Sequence, residues 1–160
     1  MVERYLAEIF ASIKASCHPL AGGRLEEIAT GLVDAFVSAK WKRIDVSRAM
    51  HEPLSDVGGL ELVQESILKG ATLVADLLST CSDASWAEAQ TVAMFVVTGS
   101  SSLLQMAVAG SARSIDREIL RKHMRAAVLG YLQETCSLVG SQKSNSPTSD
   151  AIKSKSSAGA

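Results

Sequence analysis

The apolar positions of this chain recur at spacings of three and four almost from the first residue, and that period predicts helices rather than strands. Over residues 2–17, Val2, Leu6, Ile9, Phe10, Ile13 and Cys17 share one helical face. His18-Pro19 and Gly22-Gly23 interrupt the pattern. It resumes from about Leu25 to Lys42, with Ile28, Leu32, Ala35, Phe36 and Ala39 inward. Asp45 is placed to cap a short helix over 46–52, which Pro53 helps to end. Gly58-Gly59 marks a turn, and a longer helix over about 60–81 carries Val63, Ile67, Leu68, Ala71, Val74 and Leu78 inward. Ser82-Asp83-Ala84-Ser85 reads as the capping segment of the next helix, and Gly110 to Ser114 as the turn that follows it. Ser114 is placed to cap a last helix reaching about Leu138, with Asp116 and Glu118 set favourably against its dipole. That helix carries Ile115, Ile119, Leu120, Met124, Ala127, Val128, Tyr131 and Leu132 as its apolar positions.

The fifth of these helices stands apart. Between Glu88 and Arg113 there is no charged residue. Such a length suffices to span a bilayer, where about 20 apolar residues are needed. However, Gln90, Thr91, Thr98, Ser100, Ser101, Ser102, Gln105 and Ser111 lie within it, and each polar group is costly in hydrocarbon. No Lys/Arg cluster marks one flank, and Trp86 stands near one end only. A helix enclosed by protein on two sides is the better reading, the domain's own core covering one side and a second copy of the chain the other. Ala89, Ala93, Val97, Ser101 and Leu104 form a stripe of mostly small residues, expected to face the partner. Val92, Phe95, Gly99, Leu103 and Met106 form a bulkier stripe, expected to face the domain's own core. The alternative is a single larger core with no partner.

Composition narrows the class. At 160 residues, 47% hydrophobic and only 4% aromatic, the chain is one domain with enough apolar mass for a core. Three prolines and no Asn-Gly or Asp-Gly hairpin signal leave an all-α fold of about six helices. A formal charge of −1 gives no nucleic-acid footprint. Cys17, Cys81 and Cys136 are far apart, form no CxxC pair, and are expected as small core residues of a cytoplasmic protein. From Gly140 the chain is rich in serine and lysine with no aromatic, so 1–138 is expected as the folded domain and 139–160 as a disordered tail.

Chemistry finds few footholds. His18, His51 and His123 have no HxxxH or HExxH spacing, so no metal site is indicated. Cys17 and His18 are adjacent and point apart on a helix, which disfavours a nucleophile–base pair. No glycine-rich phosphate loop occurs, and neither catalytic residues nor a cofactor is expected. Arg117, Arg121 and Arg125 repeat at every fourth position, which reads as a solvated face or as partners of acidic residues. Lys40-Trp41-Lys42-Arg43 reads as the cationic end of the second helix, where positive charge favours the dipole.

The order of elements, with the short helix Ile44-Asp45-Val46-Ser47-Arg48-Ala49-Met50-His51-Glu52 between longer ones, resembles a known family. The closing pair strengthens the likeness: Ala89 to Gly110, then Ile119 through His123-Met124-Arg125-Ala126-Ala127-Val128-Leu129-Gly130-Tyr131-Leu132. Together these resemble the C-terminal effector-binding and dimerisation domain of TetR-family transcriptional repressors, over about residues 1–138. The first helix looks like the connector that follows the DNA-binding head in that family. The head's helix-turn-helix is not among these residues, so contact with DNA is expected only through a head domain outside this chain.

The resemblance implies a small, often apolar effector among the middle helices and a homodimer, with no membrane association. Within the region it indicates, inward phase and bulk or polarity select Phe10, Phe36, Met50, His51, Gln64, Ile67, Leu68, Ala71, Phe95 and Thr98 as ligand-binding positions. Each has a plainer reading: the aromatic and aliphatic members as core, Gln64 as a solvent-facing residue, His51 as a partner of the last carbonyls of its helix. For the dimer, the resemblance implies a four-helix bundle formed by the last two helices and their copies. The matching positions are Ala93, Val97, Ser101, Leu104 and Val108 with Leu120, Met124, Ala127, Val128 and Tyr131. The competing reading is a helical interaction module without a cavity, such as a headless partner of full-length repressors.

Overall fold

Six α-helices and one short antiparallel strand pair account for the regular structure among the described residues of the computed structural model, which are 2–42, 44–49, 57–109 and 116–138. The helices are α1 (Val2–Cys17), α2 (Leu25–Trp41), α3 (Ile44–Ala49), α4 (Val57–Ser79), α5 (Ala89–Ala109) and α6 (Arg117–Thr135). The fold is an all-α bundle. Met50, His51, Ser114, Ile115 and the segment 139–160 lie outside the described residues, as does the end expected for the short helix.

Helix α2 is the axis of the bundle. Leu25, Ile28, Ala29, Leu32, Val33, Ala35, Phe36, Val37 and Ala39 are all buried, so it is apolar on more than one face and packs against α1, α5 and α6. Its start is held twice. The Arg24 N–H donates to Glu27 Oε2 at 2.8 Å, a side chain reaching back one turn, and the Leu25 N–H donates to Asp83 Oδ1 at 2.7 Å. Asp83 was expected to cap α5; it caps α2 instead, because the end of α4 returns beside the α1–α2 connection. There the Gly22 N–H donates to Thr80 Oγ1 at 2.9 Å and the Ser82 N–H to the Gly23 carbonyl at 3.0 Å. Gly22 has φ +78°, a conformation that favours glycine.

Three further expectations are corrected. Gly58 and Gly59 belong to the first turn of α4 rather than to a turn before it. The penalty of about 1 kcal/mol for a helical glycine is outweighed by tertiary packing further along, where Ala71, Val74 and Leu78 are buried. The residue that caps α6 is Asp116, whose Oδ1 accepts from the N–H groups of Glu118 at 2.8 Å and Ile119 at 3.2 Å. Finally, α6 stops at Thr135, and Ser137–Leu138 pairs antiparallel with Ala84–Ser85. Trp86 Nε1 donates to the Leu132 carbonyl at 3.2 Å and ties the same corner down.

The two faces of α5 are reversed relative to expectation. Ala93, Val97, Leu104 and Val108 are buried in the core with Val92, Val96 and Ser100. Phe95 is 64% exposed, Leu103 46% and Met106 66%. The small stripe turns inward because α4 and α5 pack closely along their length. At Gly70 of α4 an added Cβ would sit 3.2 Å from Val97 Cγ1, so only small residues permit this approach. Ala89–Val108 is, among the described residues, the one helix long and apolar enough to cross a membrane by length and composition.

Candidate functional site

Helices α1, α2, α4 and α5 do not close completely on one another. They enclose a cavity of about 80 Å³. Leu6, Ile9, Phe10 and Ile13 come from α1; Phe36 and Lys40 from α2; Val63, Ser66, Ile67 and Gly70 from α4; Val97, Ser101, Leu104 and Gln105 from α5. On each helix these positions follow the three- and four-residue spacing of one face, so the same period that builds the bundle also lines the space inside it.

The cavity is mostly apolar, with a few polar groups. Ser101 and Gln105 are one turn apart on α5, and Ser66 faces them from α4. Lys40 is half-buried; its Nζ donates to the Tyr5 hydroxyl at 3.5 Å and lies 5.4 Å from the centroid of that ring. Burial holds the Lys40 ammonium below the usual lysine range, since desolvation disfavours the charged form. Lys40 is thus not simply a cation serving the end of α2, as its place in the KWKR run suggested.

Leu6, Phe10 and Ser66 also line a broader groove of about 500 Å³ between α1 and α4, with Glu3, Ala7, Leu62, Glu65 and Lys69. The two spaces share these three side chains.

Of the ligand-binding positions expected from sequence, Phe10, Phe36 and Ile67 meet in the cavity. Ala71 is fully buried one turn beyond Ile67 in the α4 core and does not line the space. Gln64 and Leu68 lie on the exposed face of α4, and Phe95 and Thr98 on that of α5. Their exclusion follows from helical phase: once Val63, Ser66, Ile67 and Val97 face inward, positions one residue or two away point elsewhere. Met50 and His51 lie outside the described residues. The sequence reading missed Lys40, Ser66, Ser101 and Gln105 as lining groups. A usable signal existed for two of them, because Ser101 and Gln105 are polar positions one turn apart in a helix without charge.

A second concavity runs along the outside, between α5 and α6. Phe95, Gly99 and Leu103 form one wall, Ala127 and Tyr131 the other, with Val96, Ser100, Met124 and Val128 beneath. The Phe95 and Tyr131 rings are tilted by 40° with centroids 6.0 Å apart. Of the expected interface positions, Ala127 and Tyr131 stand at this surface, and Met124 and Val128 form its floor. Leu120, Ala93, Val97, Leu104 and Val108 are core residues, and Ser101 belongs to the inner cavity.

Along the same helix, the arginine row of α6 pairs with α2. Arg125 Nη2 donates to both Asp34 oxygens at 2.7 and 2.9 Å, Arg121 Nε lies 3.3 Å from Asp34 Oδ1, and Arg117 Nη2 donates to Ser38 Oγ at 3.4 Å. Among the described residues no three His, Cys, Asp or Glu side chains cluster as a metal ion would require.

Comparison with known protein families matches residues 25–132 to the tetracyclin repressor-like C-terminal domain. No curated protein and no solved structure gave a match. The match takes in α2 to α6, the helices that supply three of the cavity's four walls and the whole of the outer apolar face. The chain therefore belongs to the tetracyclin repressor-like C-terminal domain family.

Proposed function

We propose that this chain is the effector-sensing and homodimerising domain of a cytoplasmic transcriptional regulator and has no catalytic activity of its own. The observation that carries the reading is the cavity between α1, α2, α4 and α5. One of its walls is α1, the element that corresponds to the connector leading to a DNA-binding head. A ligand that fits the cavity better in one setting of α1 than in another shifts the population between the two settings. That is the physical content of sensing here, and it requires no chemistry at the ligand.

The outer groove of α5 and α6 supports the second half of the reading. Phe95, Leu103 and Met106 are large, apolar and exposed on a helix that bears no charge. A contiguous apolar face of this kind marks an interaction surface. A second copy placing its own α5 and α6 there makes a four-helix bundle, of the order of 1,500 Å² if it is a stable interface.

The small volume of the inner cavity favours the competing reading, an interaction module that binds no effector. Thermal unfolding of the full chain across a panel of small apolar and aromatic compounds separates the two. A ligand specific to the native state at a hundred times its Kd adds about 2.7 kcal/mol, which is a shift of roughly 5–10 °C for a chain of this size. A cooperative shift of that order by at least one compound is expected. A panel in which no compound moves the midpoint would leave the interaction module as the better account.

A further inference from the structure

The arginine row of α6 is only partly matched by carboxylates. Arg125 takes both oxygens of Asp34, and Arg121 lies between two acids, its Nε 3.3 Å from Asp34 Oδ1 and its Nη1 3.4 Å from Glu118 Oε1. Glu118 is 71% exposed, so water weakens its hold on Arg121. Arg117 meets no carboxylate among the described residues; its hydrogen bond goes to the neutral hydroxyl of Ser38, at 3.4 Å. Asp116, next to it in the chain, is engaged by the first amides of α6. Because Arg125 stands at Asp34 and Arg117 at Ser38, the two helices run in opposite directions, and Arg117 lies toward the C-terminal end of α2. There the charge is one-sided: α2 carries no acidic residue after Asp34, and Lys42 follows one turn beyond Ser38, exposed. The donors are unfilled as well. The Nε atoms of Arg117, Arg121 and Arg125 are buried with no hydrogen-bond partner among the described residues, since Arg121 Nε is near Asp34 without the alignment of a hydrogen bond. Unpaired donors of this kind are destabilising and call for an acceptor.

We propose that Arg117, Arg121 and Ser38 form an anion site at the contact between α2 and α6, and that its ligand is a phosphate group. Arg117 and Arg121 are one turn apart, about 6 Å along the helix, so one tetrahedral anion between them accepts from both. A guanidinium offers five N–H donors in a fixed fork, and its edge presents Nε and one Nη together, the arrangement that holds two oxygens of an oxyanion. Turning that edge toward the anion gives the unpaired Nε groups their acceptor. The Ser38 hydroxyl accepts from Arg117, and its own proton goes to no described residue; it is the donor for a third oxygen. A carboxylate has only two oxygens, in one plane. Phosphate has more oxygens and carries more negative charge at neutral pH, and arginine is the side chain best matched to it. Lys42 adds attraction from the same end of α2. The site lies apart from the inner cavity and from the outer apolar groove, so it does not depend on the sensing role.

Inorganic phosphate and phenyl phosphate, titrated into the isotope-labelled full chain at neutral pH and constant ionic strength, test the assignment. The readout is the set of arginine Nε–H resonances, which report on the row itself. Both probes should shift the Arg117 and Arg121 resonances saturably, and sodium chloride should not. Arg117→Gln should weaken phosphate binding about tenfold, the ratio of a single charge-assisted contact, and Ser38→Ala should weaken it less. Lys14→Gln removes an exposed cation of α1 and should leave the affinity unchanged, which separates the site from overall charge. Tighter binding of phenyl phosphate than of phosphate assigns the site to the head of an organic monoester; equal or weaker binding assigns it to the free ion. If Arg117→Gln does not fold, the response of the unaltered chain to phosphate over chloride still decides. Shifts no larger with phosphate than with chloride overturn the proposal. So does an undiminished affinity in Arg117→Gln, or a loss in Lys14→Gln as large as that in Arg117→Gln.

Discussion

Asp83 joins the segment after α4 to the start of α2 with one carboxylate. It accepts from the Leu25 N–H at 2.7 Å, from Arg24 Nε at 3.2 Å and from the Cys81 thiol at 3.3 Å. The Leu25 N–H, more than the other contacts, holds its carboxyl below the usual carboxylate range. A depressed folded-state value means that the charged form stabilises the fold. That contribution is complete above the unfolded-state value of about 3.9 and disappears as the pH falls through the lower folded-state value. Asp83→Asn should therefore lower the urea midpoint at pH 7, and the gap to the unaltered chain should close as the pH is taken below about 4. A gap that persists unchanged in strong acid would assign the loss to geometry instead of charge. Cys17 shows the opposite shift: it is 2% exposed, and burial alone pushes its thiol up to about 11, as expected of a core residue.

The contact between α2 and α6 shows how two helices that are distant in sequence are held in register. Buried Leu120, Met124, Val128 and Leu132 supply the apolar face of α6. Asp34 supplies the polar part, taking Arg125 through two hydrogen bonds and Arg121 at its edge. The arginine row that reads from sequence as a solvated or acid-paired face is in large part paired. Asp34 and Arg125 are each about two-fifths exposed, so water weakens the pair relative to a buried one. Asp34→Ala should cost about 1–2 kcal/mol, measured by chemical unfolding. Arg125→Ala should cost a similar amount, and the double variant less than the sum, because the two residues share one interaction. Strict additivity would show that the pair contributes nothing of its own.

Two neighbouring leucines of α5 decide how the whole molecule presents itself. Leu104 is fully buried in the core, whereas Leu103 is 46% exposed on the outer groove beside Phe95 and Tyr131. Leu104 has no exposed surface, and burying a charge there is costly, so Leu104→Glu should abolish cooperative folding. Leu103→Glu should leave the fold and its helical signal intact and convert the proposed dimer into a monomer by sedimentation. The pair separates folding from association because one leucine faces the core and its neighbour the outer groove. A well-folded Leu103→Glu dimer would remove this face as the interface.

Much of the architecture was legible in the amino-acid order because helical period is a local property. Residues 2–17 and the start of α2 at Leu25 were placed correctly from spacing and from the Pro and Gly breaks alone, and α2 ended within a residue of its expected bound. The family was legible too, from the sequence of long and short helices. What a linear pattern does not contain is which of two apolar stripes faces inward. On α5 both stripes are apolar, and bulk suggested the wrong one. The outcome depended on Gly70 and Ala71 of α4, distant in the chain, which admit a small-residue face at close range. The cavity has the same character. Phe10, Phe36 and Ile67 could be found by phase, but Lys40, Ser66, Ser101 and Gln105 come to line one space only when the helices are packed, since proximity between helices is a product of packing and not of spacing along any one of them.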